Sequence, residues 1–226
     1  MSHGRIGSPK VVTFPYAFDT TRPVDEISIE LRGFKNSVFH AVYGCRTWHE
    51  PQLLEYIARN APRGGLYVDI GSNIGGHAVY FGKYLAGHVL CCEPWPVAAA
   101  ALRRNLATNG VRNATVRECG VGAVPDSRQV QGGNGRLLTT NTRTVDELVA
   151  EVDVEPVNAI KIDTDGMDLE VLVGAEQTIT THRPFIAVEA AFPELRRDIP
   201  SLMEHWGYEL AARFFSAPVF CYRPTR

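Results

Sequence analysis

No apolar run in the 226-residue chain approaches the roughly 18 residues that a membrane-crossing helix needs. The N-terminus lacks the charged-then-apolar pattern of a secretory signal, and its first residues, MSHGRIGS, read as a flexible leader or cloning remnant. An excess of either charge is also missing. With 23 Lys and Arg against 25 Asp and Glu the net charge is −2, which gives no general reason to expect a nucleic-acid or membrane partner. The basic pairs Arg103-Arg104 and Arg196-Arg197 read as solvated helix faces. Cysteine is sparse: Cys45, Cys91, Cys92, Cys119 and Cys221 are odd in number and lack metal-site spacing. A chain this long buries enough surface to need no disulfide or metal staple, so a reduced, cytoplasmic setting is expected.

What is present is alternation. GLYVDIG (65–71), HVLCCEP (88–94), ATVRECGVG (114–122), VNAIKID (157–163) and PFIAVEA (184–190) read as apolar strands. Between them, GGHAVYFGKYLA (75–86), PVAAAALRRNLATNG (96–110), TVDELVAEV (144–152) and MDLEVLVGAEQTI (167–179) carry helical spacing. This order predicts an α/β fold around a mostly parallel sheet with right-handed crossovers. The terminal segments YELAAR and APVFCYR are expected to pair antiparallel. DSRQVQGGNGR (126–136) reads as a polar loop. EISIELRG and SVFHAVYG alternate as strands and predict an N-terminal β arm. Residues 1–47 are therefore taken as an extension, and 48–226 as a single domain.

Asp69, Glu93, Asp163 and Glu189 each close an apolar strand. In an open parallel sheet, ligands sit beyond the C-terminal strand ends, where strand order reverses. The first crossover, VDIGSNIGGHA, resembles a dinucleotide fingerprint but has Asn73 where the second glycine belongs, which disfavours a pyrophosphate ligand. Glu93 lies 24 residues past Asp69, placed to accept hydrogen bonds from both hydroxyls of a ribose. S-adenosylmethionine (SAM) meets these demands: no phosphates, a ribose, and a cationic sulfonium that suits the acids, with Asp69 a candidate for its methionine end.

Four segments in order, YVDIGSNIGGHAVYFGKYL, CEPWPVAAAALRRNLATNG, TRTVDELV and IKIDTDGMDLEVLVGAEQTI…RPFIAVE, resemble the FkbM family of class I SAM-dependent methyltransferases over about residues 48–190. The resemblance implies a Rossmann-like seven-stranded sheet with an antiparallel C-terminal hairpin strand. It also implies O-methylation, commonly of a sugar or natural-product hydroxyl. Carried over by position, Asp69, Gly71, Asn73 and Gly75 form the SAM loop and Glu93 holds the ribose. Trp95 lies against the adenine, Cys119 and Gly120 contact its edge, and Asp163 lies near the methyl group. Asp165 and Asp168 depart from the family pattern, which has Glu at both positions.

The stretch IKIDTDGMDLEVL concentrates Asp163, Asp165, Asp168 and Glu170 in eight positions. It fails the spacing of a calcium loop, because Gly166 falls fourth instead of sixth. No metal ligands are assigned, although Asp163, Asp165 and Glu189 remain an alternative set for a divalent ion that deprotonates the acceptor. Asp163, Asp165 and His77 are the catalytic candidates. Trp48, His49 and Glu50, ahead of an amphipathic helix, are read as shaping the cofactor or acceptor site, with Glu50 counted among the cofactor contacts. Tyr43 and Arg46 are candidate lid residues, and His182 falls at the wrong strand end. The expected activity is SAM-dependent O-methyl transfer to a small molecule. Methylation of nitrogen or of a macromolecule, an NAD-dependent oxidoreductase, and a non-catalytic SAM-binding protein are the alternatives.

Overall fold

Five consecutive buried residues, Leu66–Ile70, form β3 at the centre of the molecule. Leu66, Val68 and Ile70 face one apolar cluster, whereas Tyr67 faces the other. A strand covered on both sides reads as a continuous apolar run, as parallel sheets require. The computed structural model describes residues 11–31, 40–131, 137–215 and 218–225.

The chain alternates as its sequence predicts. After β1 (Val11–Tyr16) and β2 (Asp25–Glu30) come α1 (Pro51–Asn60), β3, α2 (Gly76–Tyr84), β4 (His88–Cys92), α3 (Pro96–Thr108) and β5 (Ala114–Arg117). Then follow β6 (Gly120–Val121), β7 (Asp126–Gln131), β8 (Leu137–Arg143), α4 (Val145–Ala150), β9 (Val157–Ile162), α5 (Asp168–Val173) and α6 (Glu176–His182). The chain closes with β10 (Phe185–Glu189), α7 (Pro193–His205), β11 (Tyr208–Phe214) and β12 (Val219–Pro224). The main sheet has seven strands in the order β11-β12-β10-β9-β3-β4-β5. β10, β9, β3, β4 and β5 pair in parallel, and β12 pairs antiparallel with both β10 and β11. Helices α1 to α3 contribute to the apolar cluster on one face, and α4 to α7 to that on the other. Strand order reverses between β3 and β9, so their C-terminal ends open the crevice.

Four local expectations need correction. The partner of β2 is β1, whose Val12 and Phe14 are buried while Val11 is exposed. SVFHAVYG does not supply that strand: His40–Gly44 forms a π-helical turn in which Val42 is buried, and residues 37–39 lie outside the described residues. The third strand stops at Arg117, and Gly120–Val121 leaves it to pair with β8. The expected polar loop is a hairpin, with β7 and β8 antiparallel and residues 132–136 outside the described residues. Its strands DSRQVQ and LLTTNTR are mostly polar, so the period of two carries little apolar signal. The helix expected over 167–179 breaks at Gly174, where a Cβ would lie 2.1 Å from the Gly122 carbonyl.

The N-terminal hairpin is tied to the domain by two asparagines of α3 and its C-cap. Asn105 accepts from the Glu30 amide (2.7 Å) and Asn109 from the Ser28 amide (3.0 Å), while the Asn109 amide group donates to the Ser28 carbonyl (2.7 Å). Side chains thus satisfy backbone groups that an edge strand would leave open. Asn105 also donates to the Ile74 carbonyl at 2.7 Å, which links the arm to the turn after β3.

Candidate active site

The turn after β3 is built from residues that accept left-handed backbone. Gly71 has φ 74° and Asn73 has φ 51°. A Cβ on Gly71 would lie 1.8 Å from the Asp163 carbonyl, so the two strand ends meet backbone to backbone. Gly75, at φ 87°, faces Leu102 of α3, with 2.4 Å from its virtual Cβ to a Leu102 methyl. Glu93 joins this turn to the start of α3. One oxygen accepts from the Asn73 amide (2.8 Å), the other from the Trp95 amide (2.9 Å). Burial pushes the Glu93 carboxyl up to about 7, against the two amides that favour its charge. Each oxygen keeps a lone pair for a further donor.

Beneath the turn lies a charged residue inside the apolar strand β9. Lys161 is 6% exposed, with its ammonium 3.4 Å from Asp69, 3.2 Å from Asp163, and donating to the Gly71 carbonyl at 3.2 Å. Its signal is a lone lysine between two isoleucines, in register with Asp69 across β3 and β9. Burial disfavours its charge, yet the carboxylates of Asp163, Asp69 and Glu50 outweigh burial and hold its pKa above the ordinary value. Asp69 is fully buried with no hydrogen bond to either carboxylate oxygen, and burial raises its pKa despite the Lys161 charge. As placed, Asp69 faces Lys161 and does not line the open cleft.

Asp163, one residue before the cleft-lining Thr164, is the partly open member of the pair. Its side chain keeps 38% of its surface open. Burial of the group disfavours its charge, but the Lys161 ammonium and its hydrogen bond, with His77 and His49 nearby, outweigh burial and hold its carboxyl below the usual range. Glu189 ends β10 one position beyond the Val188–Ile162 pair, which sets it beside Asp163. Burial, then the charges of Asp163, Asp168 and Asp165, push Glu189 up to about 8. Asp165 sits at the surface in left-handed backbone (φ 54°), its pKa raised by partial burial and by Asp163.

Asp168 has a different task from solvating a helix start. It is fully buried and accepts from the Thr164 amide, the Thr164 hydroxyl and the Gly166 amide at 3.0–3.2 Å, which folds the loop back on itself. Glu170 pairs with Arg128 of β7. The acids of IKIDTDGMDLEVL therefore divide into a half-buried Asp163 and an exposed Asp165, and two structural acids, Asp168 and Glu170.

His77 is buried on α2. Its Nε2 lies 3.2 Å from the His49 carbonyl, which can only accept, so this nitrogen carries the proton. Burial, with Lys161 nearby, drives its pKa down to about 3. The depressed pKa makes its ring a weak base, and it stacks on His49 at 5.9 Å. Glu50, in left-handed backbone before α1, is pushed up to about 7 by burial. Trp95 is half-buried beside Glu93. Cys119 hydrogen-bonds Cys92, which lowers the Cys119 pKa, and Gly120 follows it into β6. Arg46 donates to the Thr13 carbonyl (3.3 Å) within the arm, and His182 lies near Glu155 (4.0 Å), away from the site.

A cleft of about 450 Å³ opens at the turn that follows Asp163. Gln129 and Val130 of β7, the turn Thr164-Asp165-Gly166, and Phe192 line it, and Phe192 is 50% exposed. The Phe192 ring rests on Gly166, where a Cβ would come within 2.9 Å. Among the described residues, no group of three or more His, Cys, Asp or Glu side chains is placed to hold a metal ion, and no helix is long and apolar enough to cross a membrane.

The family profile described as Methyltransferase FkbM domain matches residues 69–210. Methyltransferase sdnD of Sordaria araneosa is 27% identical, across 69% of this chain and 78% of the relative. The crystal structure of methyltransferase FkbM from Methylobacillus flagellatus KT is 21% identical with a TM-score of 0.52, covering 84% of this chain. The chain spans only 55% of that relative's length. Precorrin-6y C5,15-methyltransferase from Geobacter metallireducens GS-15 shares the fold at 15% identity and a TM-score of 0.52, over 77% of this chain and 86% of its own. With the profile matching well over half of its residues, the chain belongs to the FkbM methyltransferase family and is a SAM-dependent methyltransferase enzyme.

Proposed function

We propose that the protein transfers a methyl group from SAM to a hydroxyl of an uncharged small molecule, a sugar or natural product. The observation that carries this reading is the open carboxylate of Asp163, held ionised by Lys161 between the glycine turn and the cleft under Phe192. Asp165 and Glu194 are the only charged residues lining that cleft among the described residues. They repel a phosphorylated acceptor, and they would keep an amine acceptor protonated and without its lone pair. The exposed Phe192 ring offers an apolar face for an uncharged ring system.

The residues fit the cofactor: the Gly71-Asn73-Gly75 turn approaches it by backbone, Glu93 receives ribose hydroxyls, and Trp95, Cys119 and Gly120 flank the base. Asp69 acts indirectly, through Lys161. SAM supplies the electrophilic methyl group. For the acceptor, Asp163 takes the hydroxyl hydrogen bond and orients the oxygen, a positioning effect that accounts for much of such catalysis. Asp163 is too weak a base to hold the proton, whereas Glu189, at about 8, is matched to it near neutral pH. The Lys161 ammonium beside Asp163 also repels a divalent ion, which favours a side-chain base. A reduced cytoplasmic setting suits the five free thiols.

Calorimetry with S-adenosylhomocysteine (SAH) and with NAD tests the cofactor reading. SAH is expected to bind and NAD to fail. Glu93→Gln is expected to weaken SAH at least about tenfold, because hydrogen bonds to a charged group are worth about 1.5–3 kcal/mol. Absence of SAH binding to the wild-type protein overturns the reading.

A further inference from the structure

We propose that Lys161 is a positioning residue for methyl transfer, joining the glycine turn to the carboxylate that faces the acceptor. The inference rests on the reading that this crevice takes SAM. Three contacts carry it: the Gly71 carbonyl at 3.2 Å, Asp69 at 3.4 Å and Asp163 at 3.2 Å, all from one ammonium that is nearly sealed from water. The neighbouring backbones leave no slack, since Gly71 packs directly on the Asp163 carbonyl. The β3–β9 register sets Lys161 opposite Asp69. That pairing leaves the ammonium one partner on the cofactor side and one on the acceptor side.

The two carboxylates need it differently. Asp69 is buried and has no hydrogen bond to fall back on. Without the ammonium it must take a proton or force the turn aside, because an uncompensated buried charge is costly. Asp163 is partly open to solvent and would stay in place, but its charge would no longer be favoured. Removing Lys161 should thus loosen cofactor binding through Asp69 and raise the proton affinity of Asp163. The first effect should be repaired by neutralising Asp69; the second should not.

The test compares wild type, Lys161→Met, Asp69→Asn and the double variant, using SAH as the calorimetric probe. Carboxyl-¹³C NMR of aspartate-labelled apoprotein, with the Asp163 signal assigned through Asp163→Asn, follows the second effect. Lys161→Met is expected to weaken SAH about 30-fold or more, and the double variant to recover at least tenfold of that loss. In the double variant the Asp163 midpoint is expected to rise by at least about one pH unit, a tenfold change in proton affinity. Wild-type SAH affinity in Lys161→Met, losses that simply add in the double variant, or an unmoved Asp163 midpoint each overturn the proposal. Should Lys161→Met alone fail to fold, the double variant carries both readouts. Failure of both to fold assigns Lys161 to the core and also overturns it. Loss of SAH binding by the wild-type protein would instead count against the cofactor reading itself.

Discussion

Asp163 and Glu189 end neighbouring parallel strands yet titrate in opposite directions. Asp163 has the Lys161 ammonium within 3.2 Å and is held below the ordinary carboxylate value. Glu189 has burial and three surrounding carboxylates and rises to about 8. Paired groups whose environments separate their pKa values divide the labour of orientation and proton transfer. A base must be ionised to act, so single-turnover methyl transfer to an uncharged hydroxyl acceptor should climb with pH and level off above about 8. Glu189→Gln should remove that limb and slow transfer by about 10²-fold or more, the usual contribution of a general base. SAH affinity should stay within about threefold. An unchanged pH profile in Glu189→Gln would assign the proton elsewhere.

At the scale of elements, the TVDELV segment, one of the stretches that resemble the family, does structural work. Thr144 caps α4 by accepting from the Glu147 amide, and Glu147 returns the bond to the Thr144 amide, both at 3.1 Å. Asp146 reaches across to α6, accepting from the Gln177 and Thr178 amides and the Thr178 hydroxyl. The segment therefore fixes the helices behind β9, on the face away from Lys161. Thr144→Ala should cost about 1 kcal/mol of stability in chemical denaturation, with SAH affinity unchanged. A loss of SAH binding at constant stability would make the segment part of the site. This division explains what the sequence disclosed: caps, glycine turns and strand-end acids are local patterns, readable from neighbours in the chain. Lys161 was not legible in the same way, because its partners Asp69 and Gly71 lie some 90 residues away and a polar residue in an apolar run breaks the expected periodicity. The arm's anchors, Asn105 and Asn109, escaped for the same reason, since their bonds are to residues 75 and 81 positions away. The β7–β8 hairpin was missed because its polar strands bury little.

For the whole molecule, the acids gathered at one end of the sheet make stability depend on pH and on the ligand. Glu50 and Glu93 rise from 4.5 to about 7, and Glu189 to about 8. Between pH 6.5 and 8 the native state holds protons that the unfolded chain has already released. Stability therefore falls as pH rises through this window, by about 1.4 kcal/mol per pH unit for each fully retained proton. Below 6.5 the sign is contested, because His77 falls to about 3 and His49 and His88 are also depressed, so folding there excludes protons. The apoprotein should thus melt several degrees lower at pH 8 than at 6.5. SAH at 100 times its Kd should add about 2.7 kcal/mol, or about 5–10 °C for a chain of this size. At one fixed SAH concentration the gain should be larger at pH 8, where Glu93 is ionised and its charge strengthens the hydrogen bonds it accepts from the ribose. Scanning calorimetry at both pH values, with and without SAH, separates these effects. If the apoprotein melted higher at pH 8, the three glutamates would keep ordinary carboxylate pKa values in the native state, and Glu189 would be too weak a base to hold the acceptor proton at neutral pH.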